Sequence, residues 1–221
     1  MKSLWLLLWD EFVGFIKSKI MIALWIGLPI LTVILHLASP NTEGIPLSIF
    51  NGLIIASIGG FLAAVMLSTT MVNEINAKVY DLFLIRPVKR WQIIIAKYVA
   101  VFLCLTLTSL LSLGFGLFVD YITKSLPSTA YIFDIFESFI ISVSAMSISC
   151  VLGILIGILI KSVGLAAILS IYFGQQVSLV TLLPGIFFNI PHTTLFIVGL
   201  SFGITVLVLG IDIIIFNKKQ F

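Results

Sequence analysis

Charged residues make up only 10% of this 221-residue chain, and they are densest in one stretch, NEINAKVYDLFLIRPVKRWQIIIAK, Asn73 to Lys97. Glu74, Lys78 and Asp81 fall there at helical spacing, and Val79 and Phe83 supply an apolar side, so residues 74–85 read as a short amphipathic helix. Arg86 and Pro87 end it, because proline disfavours helical geometry in the residue before it. Pro87 then opens a second helix, VKRWQIIIAK, with Trp91 as an interfacial anchor. Two charged ends and one apolar face suit such a helix to contact with another protein. The plainer reading is a basic loop that marks one side of a membrane. Catalysis has little to work with: no nucleophile, triad or cluster of Cys, His, Asp and Glu is apparent. No G-x-x-x-x-G-K-[ST] phosphate-binding loop occurs, so ATP hydrolysis by that route would need another chain.

Few other residues qualify. Gln175 and Gln176 sit side by side within an apolar run, where a polar side chain needs a partner or a water-filled path. They are candidates for a substrate path or a contact between subunits, with hydrogen bonding between helices as the simpler account. Asp212 lies near the end of the last apolar run, within reach of pairing with Lys218 or Lys219. His36 and His192 are far apart in sequence and read as loop residues rather than metal ligands. Cys104 and Cys150 both fall in apolar runs and read as small buried hydrophobes.

The elements that carry these residues follow from composition. With 61% hydrophobic residues and a mean hydropathy of +1.27, the chain is far from the roughly 25% charge of a soluble domain. Its apolar runs reach about 20 residues, the length a helix needs to cross a hydrocarbon core. They lack the alternation of a membrane β-barrel. The expected fold is therefore all-α, a single transmembrane domain over residues 1–221. Residues 1–19 read as an amphipathic interfacial helix with Trp5, Leu8, Trp9, Phe12 and Ile16 on one side. Six spans are expected at about 20–38, 49–72, 93–119, 132–160, 163–182 and 195–216. The segment Leu183 to Thr194, interrupted by Pro184, Gly185 and Pro191, reads as a broken re-entrant or interfacial element. No cleavable signal peptide is evident, and the first span is expected to direct insertion.

Small residues recur every fourth position in two spans: Ala56, Gly60, Ala64 and Ser68 in the second, and Ala145, Ser149, Gly153 and Gly157 in the fourth. Such stripes predict close helix packing. Eleven of the 12 Lys and Arg residues lie in the N-terminal segment, the 73–97 stretch, the Lys161 turn and the C-terminal tail. The positive-inside rule then predicts that these segments, and both termini, are cytoplasmic.

The 73–97 stretch resembles the cytoplasmic signature of ABC-2 type permeases, the membrane subunits of a class of ATP-binding-cassette exporters. Glu74, Asp81, Leu84, Pro87, Val88, Arg90 and Lys97 match that pattern in register. Asn76, Lys78 and Val79 stand where the family has a second Glu and a Gly-Thr, and Phe83 takes one Leu position. The resemblance implies a coupling helix between spans two and three that docks on a separate cytosolic ATPase through Glu74, Asp81, Phe83, Leu84, Pro87, Val88 and Arg90. It further implies two ATPase subunits, which would carry ATP and Mg, and a second permease subunit, identical or related. This chain would be a non-catalytic subunit in the plasma membrane, without a cofactor of its own and without a nucleic-acid partner. Short outward loops point to a small lipophilic or amphipathic substrate such as a peptide, an antibiotic or a lipid-like molecule. The alternatives are an ion-gradient-driven secondary transporter and a non-transporting assembly subunit of a membrane complex.

Overall fold

The computed structural model describes residues 2–38, 47–79, 89–124, 129–187 and 193–219. Seven helices and no strand are present among them: α1 (Lys2–Ile16), α2 (Lys19–Ala38), α3 (Leu47–Asn76), α4 (Arg90–Lys124), α5 (Thr129–Leu159), α6 (Val163–Phe187) and α7 (Thr193–Lys218). Among the described residues, four helical segments are long and apolar enough to cross a membrane: Ile58–Asn76, Arg90–Val119, Ile135–Leu159 and Thr194–Lys218. Leu4–Ile16 and Met21–Leu31 pass the same test only as a pair, bent by 55°. Val163–Gln176 is a shorter apolar helix. The protein is an all-helical membrane protein by these features.

Two helix boundaries differ from the sequence expectation. Glu74 does not open a separate short helix, because α3 continues unbroken to Asn76. Its end is set by Lys78, whose φ of 52° is left-handed, the conformation that commonly terminates helices and that glycine adopts most cheaply. Residues 80–88 lie outside the described residues, and with them Asp81, Phe83, Leu84, Pro87 and Val88. At the other boundary, α6 runs on through Pro184 and Gly185 to Phe187. Residues 183–187 are thus the last turn of that helix rather than a separate broken element, and residues 188–192 are not among those described.

The core forms where α3 and α5 meet, supported by α6 on one side and by α4 and α7 on others. The small-residue stripes account for the closeness of this contact. A Cβ added at Gly153 would lie 2.6 Å from the Ala64 carbonyl oxygen, and one at Gly157 would lie 2.7 Å from the Met71 Cβ. Gly174 brings α6 against the α3 backbone in the same way, 2.8 Å from the Phe61 Cα. Lipid tails are as apolar as a leucine side chain, so helices in a bilayer gain little from burying apolar area against one another. Close approach and dense van der Waals contact supply the attraction instead.

These contacts distinguish glycines that pack from glycines that do not. Gly153→Ala is expected to destabilise the bundle by about 1–3 kcal/mol, since backbone on α3 must shift to admit the methyl group. Gly14→Ala on α1, where an added Cβ meets nothing within 4 Å, is expected to be neutral or mildly stabilising. Thermal unfolding of the purified variants checks both outcomes.

Candidate functional site

α1 is apolar over most of its circumference, so its phase is not decided by hydropathy. Trp5 and Trp9 are 68% and 59% exposed, while Phe15 is buried, with Phe12 and Ile16 packed against the core. The sequence expectation placed both tryptophans on the same side as Phe12 and Ile16. The difference follows from Glu11, which must point inward with Phe12 and Phe15. Outward-facing tryptophans suit a helix at the membrane–water boundary.

Glu11 faces inward because of Lys97. This lysine, in the second turn of α4, is 1% exposed and among the largest fully buried side chains in the protein. Its Nζ donates to Glu11 Oε1 at 2.7 Å and to Glu74 Oε1 at 2.6 Å. An ammonium taken out of water without a counter-charge would cost several kcal/mol. Here two carboxylates, only 18% and 26% exposed, close around it. One cation against two anions leaves a net negative charge in the cluster. Burial pushes the Glu11 carboxyl above its usual range, and the charges of Glu74 and Asp10 add to that, against the pull of Lys97. Beside the cluster, Asp10, Glu11, Gly14, Phe15, Ser18 and Thr70 line an open groove of about 320 Å³ between α1 and α3.

Further ties gather at the same end of the bundle. Lys89 N–H donates to Gln92 Oε1 at 3.1 Å, half of a capping box at the start of α4. Arg90 reaches across to α7 and donates to the carbonyls of Lys219 at 2.9 Å and Asn217 at 3.4 Å. These belong to a helix C-terminus, whose last carbonyls have no partner within the helix. Lys219 Nζ donates in turn to the Ile158 carbonyl at the end of α5, and Asn76 Nδ2 donates to the Lys161 carbonyl at 3.0 Å. Burial lowers the affinity of Lys219 for its proton, as does the nearby charge of Lys161. The ends of α3, α4, α5 and α7 are therefore bound to one another, and α1 joins them through Lys97.

Of the residues singled out by sequence, the structure brings Glu74, Arg90 and Lys97 to this end. Gln175 and Gln176 lie elsewhere, midway along α6, where both are exposed on the same outer surface as Ile168, Tyr172 and Phe173. Asp212 does not pair with Lys218 or Lys219. It is fully buried in α7 with no hydrogen-bond partner for either carboxylate oxygen among the described residues, and Lys219 is directed to α5 instead. Cys104 and Cys150 are buried free thiols. Among the described residues no three His, Cys, Asp or Glu side chains gather in a way that could hold a metal ion.

Two features were missed by sequence reasoning. Glu11 is one; its signal was a carboxylate at the same helical phase as Phe15, four residues on. The other is a chain of hydroxyls across three helices, Tyr98 OH to Ser147 Oγ at 2.9 Å and Ser147 Oγ to Thr205 Oγ1 at 2.9 Å. No periodicity marks it, because serine and threonine are common in these spans and most bond to their own helix.

The fold and this end of the bundle define an all-helical membrane protein with a buried ionic cluster. Residues 19–218 match the family described as a protein of unknown function, DUF2705, and the chain belongs to that family. No curated protein matches it.

Lys97→Met is expected to be strongly destabilising, by about 3–5 kcal/mol, because it leaves two neighbouring buried carboxylates without a cation. Adding Glu11→Gln and Glu74→Gln to the same variant is expected to recover most of that loss. Unfolding in detergent, followed by size-exclusion profile and heat, measures both.

Proposed function

We propose that the protein is the permease subunit of an ATP-binding-cassette exporter. The observation that carries this reading is the match of residues 74–97 to the cytoplasmic signature of ABC-2 type permeases, centred on Pro87 and Val88. In this reading the chain has six spans, with α1 lying in the interface, and both termini face the cytoplasm in the plasma membrane. Residues 80–88, flanked by Glu74 and Arg90, dock on a cytosolic ATPase present in two copies, which binds ATP and Mg. A second permease subunit completes the transporter, and the glutamines of α6 face it or the substrate path. The cargo is a small lipophilic or amphipathic molecule.

The arrangement of the helices supports a lever of this kind. The segment joins α3 to α4, and those helices are linked just inside the membrane end by the Glu74–Lys97 pair. Four of the chain's basic segments also converge on the same end, as a cytoplasmic face requires. A push on the segment would then reach both helices as one body.

Affinity purification of the full chain from its native membrane is expected to carry with it a protein that binds and hydrolyses ATP. Pro87→Ala and Asp81→Ala are expected to leave expression and ATP hydrolysis intact while transport falls. Normal transport by both variants, or the absence of any such partner, would refute the reading.

One observation favours a second reading, an ion-gradient-driven transporter: Asp212 is a carboxylate buried in α7 without a partner among the described residues, and ionisable residues at such depth mark transport pathways. Transport that persists without an ATPase and collapses with the ion gradient would select it.

A further inference from the structure

We propose that α1 is a hinged latch, held closed by Glu11 on Lys97, that swings about Lys17–Ser18 into the open groove between α1 and α3 when that contact opens. The inference concerns the chain alone and holds whether or not an ATPase binds.

Three independent features support it. The first is the hinge. The axes of α1 and α2 differ by 55°, and the two residues between the helices, Lys17 and Ser18, form a turn rather than helix. α2 carries its own cap there: Ser18 Oγ accepts from the Met21 N–H at 3.2 Å, and the Ser18 carbonyl accepts from the Ile22 N–H at 3.1 Å. The start of α2 is therefore satisfied without α1, so α1 can turn without unravelling its neighbour.

The second feature is the sharing of Lys97. Breaking a buried ion pair by removing its only partner is costly, because a bare charge is left behind. Lys97 has two partners on different elements, and Glu74 stays at 2.6 Å when Glu11 departs. Glu11 lines the open groove beside α1 and can exchange the lysine for water there. Opening of α1 thus leaves the buried ammonium paired.

The third feature is room. Among the described residues α1 packs on α4 and touches α2 lightly, but does not pack against α3. The space of about 320 Å³ lies on that side. Gly14, which lines it, has no atom within 4 Å of an added Cβ. That groove leaves one side of α1 without a neighbour, while Phe12, Phe15 and Ile16 seat the other side on the core, so α1 has room to move toward α3.

The experiment uses the full chain in lipid nanodiscs, with Cys104 and Cys150 replaced by alanine. Spin labels are placed at Trp9→Cys on α1 and Lys161→Cys between α5 and α6, both exposed positions. The parent is expected to give one narrow distance by double electron–electron resonance. Glu11→Gln is expected to lose part of that population to a second distance while remaining monodisperse, with far less loss of thermal stability than Lys97→Met. Gly14→Leu added to Glu11→Gln is expected to restore the single distance by occupying the groove into which α1 would move. The proposal is overturned if Glu11→Gln keeps the parent distance, if it unfolds the protein as Lys97→Met does, or if the added Gly14→Leu does not restore the parent distribution. None of these readouts involves transport, so failure here is separate from failure of the exporter reading.

Discussion

The ammonium group of Lys97 is the constraint around which one end of this protein is arranged. A lysine in the second turn of an apolar helix can extend toward water or be neutralised in place. Lys97 is neutralised in place, by carboxylates from α1 and α3. That choice fixes the rotational phase of α1, which hydropathy alone leaves open. It also keeps the last turn of α3 helical and close to α4, because Glu74 must stay within hydrogen-bond distance. Three elements that could slide along one another in lipid are thereby held in one register.

The remaining helices are ordered by two other devices, each acting where the ionic cluster does not reach. Along the middle of the bundle, Gly153, Gly157 and Gly174 let α5 and α6 approach the α3 backbone. At the end, Arg90, Lys219 and Asn76 bind the carbonyls that α7, α5 and the Lys161 turn leave without partners. These side chains serve two physical ends at once. The charges of Arg90 and Lys219 are more stable beside water than in hydrocarbon, and all three side chains supply donors to helix ends, whose negative dipole attracts the two cations. A basic residue at the end of a span is therefore a cap as well as a marker of sidedness.

What was legible in the sequence follows from the same physics. The extent of each apolar helix could be read because hydrocarbon demands a continuous apolar run, and the ranges for α2 to α7 agree with it to within a few residues except at the ends of α3, α4 and α6. That α3 and α5 would each pack closely on a neighbour was legible because small residues at four-residue steps leave a visible stripe, but that the two stripes meet each other was not. The phase of α1 was not, since a helix apolar nearly all round gives no preferred face and a single glutamate decided it. The end of α3 was misread because Glu74 and Lys78 have helical spacing to Asp81, while the left-handed backbone of Lys78 interrupts the helix between them. No propensity rule anticipates a lysine there. The α6 boundary was misread because Pro184 and Gly185 look like breakers, yet the helix runs on to Phe187 at the cost of the one backbone bond that Pro184 cannot donate.

The position of Glu74 also reassigns the residues of the 73–97 signature to different physical tasks. Glu74 and Lys97 bind each other inside the bundle, and Arg90 is spent on the carbonyls of α7. None of the three is free to make the first contact with an outside protein without giving up a bond already formed. On the proposed reading, recognition of a partner then falls to residues 80–88, and the charged residues that flank them serve as the mounting. A mounting of this kind is useful in proportion to its stiffness. A force applied to the segment would be absorbed at its ends if α3 and α4 could separate, but a buried ammonium held between carboxylates resists separation at the point where the force enters. On that reading the chemistry of the stretch divides into a part that would meet the partner and a part that keeps the two helices moving together.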